Sequence, residues 1–197
     1  MRVRSVCVFC GSRPGNHPEY TEAARLLGTE LARQGLTLVY GGASVGLMGT
    51  VASAALSAGG QVLGVLPDFL GAREIAHLGL TEFLRVGSMH ERKALMAERS
   101  DAFIALPGGF GTLDELFEIV TWAQLGLHRK PMGLLDTRGF YQPLLAMARH
   151  MADAGFVPPE QALPFAVSDS PAELVARLLA GPTLTVTEKW LKRPEQT

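Results

Sequence analysis

Short apolar runs alternate along this chain with longer segments whose apolar residues recur every three or four positions. Residues 3–9 form a β-rich run that ends in Cys10-Gly11-Ser12. Residues 20–34 place Ala23, Leu26, Leu27 and Leu31 at helical spacing, and Gly35 is a natural stop. Residues 36–40 predict a short buried strand that breaks at Gly41-Gly42. An alanine-rich helix follows over 47–58, ended by Gly59-Gly60, and then a third strand over 61–66. The stretch 67–87 has no clean period and is expected to be a long loop with short elements. Beyond it the pattern predicts a helix over 89–99, a strand over 102–106, a glycine turn at 108–111 and a helix over 113–125. A strand over 132–135, a helix over 140–154, a strand near 165–167 and a helix over 171–179 complete the series. Gly181-Pro182 marks the end of the compact region, which gives one domain over 1–182 and a C-terminal tail over 183–197.

Short apolar strands flanked by helices imply a parallel sheet buried on both faces. The predicted fold is α/β, a Rossmann-like doubly wound, mainly parallel sheet flanked by helices. In such sheets ligands sit beyond the carboxyl ends of the strands. Three glycine-rich turns follow predicted strands: Gly11-Ser12, the run Gly41-Gly42-Ala43-Ser44-Val45-Gly46, and Gly108-Gly109-Phe110-Gly111. Together they are expected to line a pocket with backbone, with Gly11, Ser12, Gly42 and Gly46 as an additional surface of it.

Composition narrows the function classes. The 197 residues suit one domain, and 47% hydrophobic against 19% charged residues supplies a sizeable core. The formal net charge of −1 comes with no basic stripe for nucleic acid and no polybasic membrane patch. No apolar run reaches the roughly 18 residues of a membrane span, and the first residues lack a signal-peptide pattern. A cytoplasmic location is the expectation. Cys7 and Cys10 have C-x-x-C spacing, but a zinc site needs more ligands and no second pair exists. The pair reads as two small buried side chains.

The richest chemistry lies in Pro107-Gly108-Gly109-Phe110-Gly111-Thr112-Leu113-Asp114-Glu115. Pro107 stops strand pairing, and the glycines let backbone approach a ligand. Thr112 is expected to open a helix whose free N–H groups favour an anion, so a phosphate fits between Gly109 and Thr112. No Lys follows the last glycine, so this is not a Walker loop, and Asp114 stands where a dinucleotide fingerprint wants a small residue. Asp136, near the end of the next strand, keeps a nicotinamide-cofactor reading open. Glu115 has two readings: the far end of a Thr112–Glu115 capping box, or a carboxylate facing the ligand. Upstream, Met89-His90-Glu91-Arg92-Lys93 is either a solvated helix start or the source of an Arg92 guanidinium that enters the pocket to meet an anion. The turn at 41–49 either holds phosphate or ribose, or packs helix on sheet. Met89, Met96 and Trp122 read as core.

These stretches, together with Thr121-Trp122-Ala123-Gln124-Leu125-Gly126, resemble in order the LOG (lonely guy) family of cytokinin-activating phosphoribohydrolases, whose older label is possible lysine decarboxylase. The resemblance covers roughly residues 3 to 180. It implies a homodimer that hydrolyses the N-glycosidic bond of a nucleoside 5′-monophosphate to free base and ribose 5-phosphate. N6-modified adenines (the cytokinin riboside monophosphates) are the implied substrates, with AMP also accepted, and neither metal nor cofactor is implied. It implies Arg92 and Glu115 as catalytic residues. Glu74, Arg92, Lys93, Gly109, Phe110, Gly111, Thr112, Leu113, Asp114, Glu115 and Thr121 map onto ligand-binding positions. Decarboxylation would need pyridoxal phosphate on a lysine, and neither Lys93 nor Lys130 sits in a sequence that suggests a cofactor cradle. A non-catalytic nucleotide or nucleotide-cofactor carrier on the same fold and a nicotinamide-dependent oxidoreductase are the competing classes.

Overall fold

A computed structural model describes residues 2–71 and 76–181. Glu74 and the tail over 183–197 lie outside the described residues. Seven strands, β1 (Ser5–Phe9), β2 (Thr37–Tyr40), β3 (Val62–Pro67), β4 (Glu82–Val86), β5 (Ala102–Ala105), β6 (Met132–Leu135) and β7 (Ala166–Ser168), form one sheet in the order β4-β3-β2-β1-β5-β6-β7. Every pairing is parallel. The helices are α1 (Pro18–Arg33), α2 (Gly46–Ser57), α3 (Asp68–Gly71), α4 (Met89–Glu98), α5 (Phe110–Gln124), α6 (Gln142–Asp153) and α7 (Pro171–Leu179).

The sheet separates two apolar layers. Leu27, Leu31, Val51, Leu174 and Leu178 from α1, α2 and α7 pack with Val6, Leu38 and Ile104 on one face. Met96, Leu116, Ile119 and Leu145 from α4, α5 and α6 pack with Cys7, Val39 and Phe103 on the other. Burial on both faces explains why the strands read as unbroken apolar runs rather than alternating ones. Cys7 and Cys10 fall in opposite layers and are both free thiols. Among the described residues no three His, Cys, Asp or Glu side chains gather into a metal-holding group. None of the described helices is long and apolar enough to cross a membrane.

From β1 the chain winds outward through β2 and β3 to β4; α4 then carries it back to β5 beside β1, and winding resumes the other way. The strand order reverses between β1 and β5, and their diverging loops leave a crevice there.

Two elements away from that crevice depart from the sequence reading. The stretch expected as a loop over 67–87 contains β4, paired to β3 from Glu82 to Val86. As an edge strand it leaves Glu82, Phe83 and Arg85 exposed, so it never needed the apolar run that marks a buried strand. The helix expected from 140 begins at Gln142, because Thr137–Gly139 forms a 3₁₀ turn with Arg138 at φ 59°.

Candidate functional site

A cavity of about 660 Å³ opens at the carboxyl ends of β1 and β5. Two glycine-containing segments line it. After β1, the segment from Cys10 to Asn16 borders it; after β5, the segment from Pro107 to Thr112 does so. The two turns are stitched together, since Gly11 N–H donates to the Pro107 carbonyl at 3.1 Å, and Leu47 N–H donates to the Gly11 carbonyl at 3.0 Å.

The start of α5 corrects one expectation. The helix opens at Phe110 with Gly109 as its N-cap, not at Thr112. Pro107 and Gly108 end the strand, and the extended Gly109 lets the chain turn into a helix three residues early. Thr112 is therefore a buried residue inside the first turn, packed against Gly108, and cannot form a capping box with Glu115. No side chain caps this helix. The first backbone bond into it is Leu113 N–H to the Gly109 carbonyl at 3.2 Å, and the residues before it, whose N–H groups a helix leaves without a partner of its own, line the cavity. The Cβ directions of Gly109 and Gly111 meet nothing within 4 Å.

One turn further along α5, Glu115 faces inward. Its Oε1 accepts from Arg92 Nη1 at 3.1 Å, and both side chains are about nine-tenths buried, at 11% and 10% exposure respectively. Arg92 Nε also donates to the Val65 carbonyl at 3.2 Å. Both residues line the cavity. Burial pushes the Glu115 carboxyl up to about 7, against the opposing pull of the Arg92 cation, and neighbouring Asp114 adds to the rise. The pair thus presents a guanidinium and a carboxyl group that changes charge near neutrality, beside an uncapped helix N-terminus.

Lys93 points elsewhere. Its Nζ bridges Asp114 at 3.1 Å and Glu118 at 3.2 Å, tying α4 to α5, and Lys93 itself does not line the cavity. Leu113 packs against the core layer, and the Thr121 hydroxyl donates to the Phe117 carbonyl at 2.7 Å. Among the residues singled out from sequence, the structure gathers Gly11, Ser12, Arg92, Gly109, Phe110, Gly111, Thr112, Asp114 and Glu115 around one cavity. Gly42, Gly46, Lys93, Leu113 and Thr121 are not part of its wall. Gly46 instead packs on the backbone of Ser12 and Arg13, and Gly42 on Leu66 and Phe83. Asp136 does not line the cavity either. Its carboxylate oxygens accept from Tyr141 N–H at 2.6 Å and from Gln142 Nε2, so the nicotinamide reading loses its acidic anchor. Lys130 donates to the Ala97 carbonyl at 2.8 Å, and neither it nor Lys93 lines the cavity.

Sequence reasoning missed the apolar wall. Tyr20 at the start of α1 and Phe140 after β6 meet edge-to-face with centroids 6.2 Å apart and border the cavity with Met48, Leu70 and Met89. Met89 is thus a wall residue, whereas Met96 is core. Phe140 is held there by Tyr141, whose hydroxyl donates to the Leu106 carbonyl at 2.6 Å. The position of Phe140 just beyond a strand's carboxyl end was the available signal.

Residues 48–178 match the protein-family profile described as "Possible lysine decarboxylase". A cytokinin riboside 5′-monophosphate phosphoribohydrolase of the LOG type from Arabidopsis thaliana is 50% identical over 177 residues, covering 90% of this chain and 82% of its own. The chain belongs to the LOG family. A second LOG relative, the cytokinin riboside 5′-monophosphate phosphoribohydrolase of Rhodococcoides fascians, is 55% identical over 157 residues, 79% of each chain. The molybdenum cofactor carrier protein of Chlamydomonas reinhardtii is 24% identical and superposes with a TM-score of 0.69 over 91% of this LOG chain and 99% of its own; what it shares is the fold.

Proposed function

We propose that this LOG-family protein hydrolyses the N-glycosidic bond of adenosine 5′-monophosphates, N6-modified ones included, to free base and ribose 5-phosphate. The observation that carries this reading is the buried Arg92–Glu115 pair at 3.1 Å, set one turn into a helix whose uncapped N-terminus borders the same cavity. The relatives' names supply the substrate class.

The 5′-phosphate docks on the N–H groups at the start of α5, where the helix end favours an anion. At 1.5 Å of rise per residue, Glu115 stands about 6 Å deeper along the helix axis, a span comparable to that from a 5′-phosphate to the anomeric carbon. As the C1′–N9 bond breaks, its electron pair leaves with the base and positive charge grows on the sugar. The Glu115 carboxylate stabilises that cation and takes a proton from the water that adds at C1′; a proton then reaches the departed base, which leaves neutral, and Glu115 returns to the carboxylate. Arg92 keeps the carboxyl in place through Nη1, and its remaining N–H groups offer donors to the departing base or the ribose hydroxyls. The Tyr20–Phe140 corner and Met89 give the base an apolar wall.

The protein is further proposed to act as a homodimer in the cytoplasm, where nucleoside monophosphates are made. The outward face of α5 carries Phe117, and the segment after it Leu125 and Leu127, all exposed; Phe110, 92% exposed, continues this apolar surface to the cavity rim. A second copy seated there covers the face and closes the open side of the cavity.

Incubation with AMP and with an N6-alkylated adenosine 5′-monophosphate, followed by chromatography, is the direct test. Free base and ribose 5-phosphate are expected, and their release is lost in Glu115→Gln. Tight binding with no base released overturns the reading in favour of a nucleotide carrier.

A further inference from the structure

The fold places Arg92 over a gap in the chain. An ideal Cβ built on Gly41, the residue that follows β2, falls onto Arg92 Nη2, with Cζ 3.1 Å and Met48 Sδ 3.3 Å away. Gly41 is not among the positive-φ glycines, whereas its neighbour Gly42 has φ 80°. The backbone at 41 therefore accepts any L-residue, and what glycine supplies there is space. Arg92 uses that space while its Nε reaches the Val65 carbonyl at 3.2 Å and its Nη1 reaches Glu115 at 3.1 Å. Both bonds require the guanidinium to lie pressed against the end of β2.

We propose that Gly41 is a positioning residue for the hydrolysis: it provides the socket that seats the Arg92 guanidinium and thereby aims Arg92 and Glu115 at the reacting bond. The consequence for rate rests on the phosphoribohydrolase reading above; the socket itself does not. The glycine turn at 41–49, read from sequence either as a phosphate or ribose loop or as helix-on-sheet packing, serves the site by leaving space for the Arg92 side chain. A methyl group at 41 meets the mobile end of a long side chain rather than backbone, so Gly41→Ala folds and the arginine is what moves.

The test is the full chain carrying Gly41→Ala, alone and combined with Arg92→Ala. With Arg92 present, Gly41→Ala lowers the melting temperature by a few degrees and lowers kcat for AMP by about 10- to 100-fold, with KM within about twofold of wild type. Moving the cation away also shifts the rising limb of kcat/KM to higher pH, because Glu115 then ionises later. In the Arg92→Ala background the socket is empty, and Gly41→Ala costs no stability. An equal loss of melting temperature in both backgrounds overturns the proposal, as does wild-type kcat with an unmoved pH limb. If the wild-type protein releases no base from AMP, the hydrolase reading fails, and the two-background stability comparison still decides the socket.

Discussion

Glu115 is the residue where fold and chemistry meet most directly. Its carboxyl is buried beside Arg92 and pushed up to about 7, from an ordinary value of 4.5. Two consequences have defined signs. Catalysis through the carboxylate makes kcat/KM rise with pH through about 7; Glu115→Gln loses about 100-fold or more in turnover and with it that limb, as pH–rate profiles of both proteins show. For stability, the folded protein holds the proton more tightly than the unfolded chain does. The stabilisation from that proton is complete below pH 4.5 and is lost as pH rises through 7. The melting temperature of the wild-type protein therefore falls more steeply between about pH 5 and pH 8 than that of Glu115→Gln, measurable by calorimetry. The capping-box reading of Glu115 failed at this same scale. Thr112 and Glu115 have the right spacing, but spacing does not say which residue starts the helix, and Gly109 does.

At the scale of the element, the first turn of α5 combines two opposed demands. Gly111 lies inside the helix with open space in its Cβ direction, where alanine is the better helix former. Gly111→Ala is expected to stabilise the protein by about 0.5–1 kcal/mol in denaturant titration. The same methyl group projects beside the N–H groups proposed to receive the phosphate, so KM for AMP is expected to rise by about tenfold or more in steady-state assays, on a loss of charge-assisted hydrogen bonding of roughly one to two kcal/mol. A gain in stability with an unchanged KM overturns the phosphate placement. Gly108, by contrast, faces Thr112 directly, and alanine there is expected to destabilise the turn. The neighbouring α4 shows why adjacent residues on one helix part company. Arg92 reaches Glu115 at the cavity, while Lys93, one residue on and just as covered, reaches Asp114 and Glu118.

For the whole molecule, the decisive feature is the reversal of strand order between β1 and β5, which sets two glycine turns and the start of α5 around one crevice. The crevice stays open toward the apolar face continued by Phe110 and Phe117. Phe117→Asp is expected to convert a dimer to a monomer in sedimentation equilibrium, while each monomer remains folded; an unchanged dimer would remove α5 from the interface. Most of this architecture was legible beforehand. Strands buried on both faces must be apolar throughout, and helices with one buried face must repeat every three to four residues, so the α/β alternation follows from the chain itself. The edge strand β4 escaped because half its surroundings are water, and the Tyr20–Phe140 wall escaped because its two rings lie 120 positions apart in sequence.

By itself the sequence determined the buried strands and the helices, the parallel sheet, and the residue types gathered at its carboxyl edge, because backbone conformation and burial act locally and leave a periodic mark. Only the tertiary structure decided that Gly109 starts α5, that Glu115 pairs with Arg92 rather than capping a helix, and that Gly41 yields its space to a guanidinium. Those outcomes depend on which side chains distant in sequence are pressed into the same few ångströms, and close packing of that kind has no period along the chain.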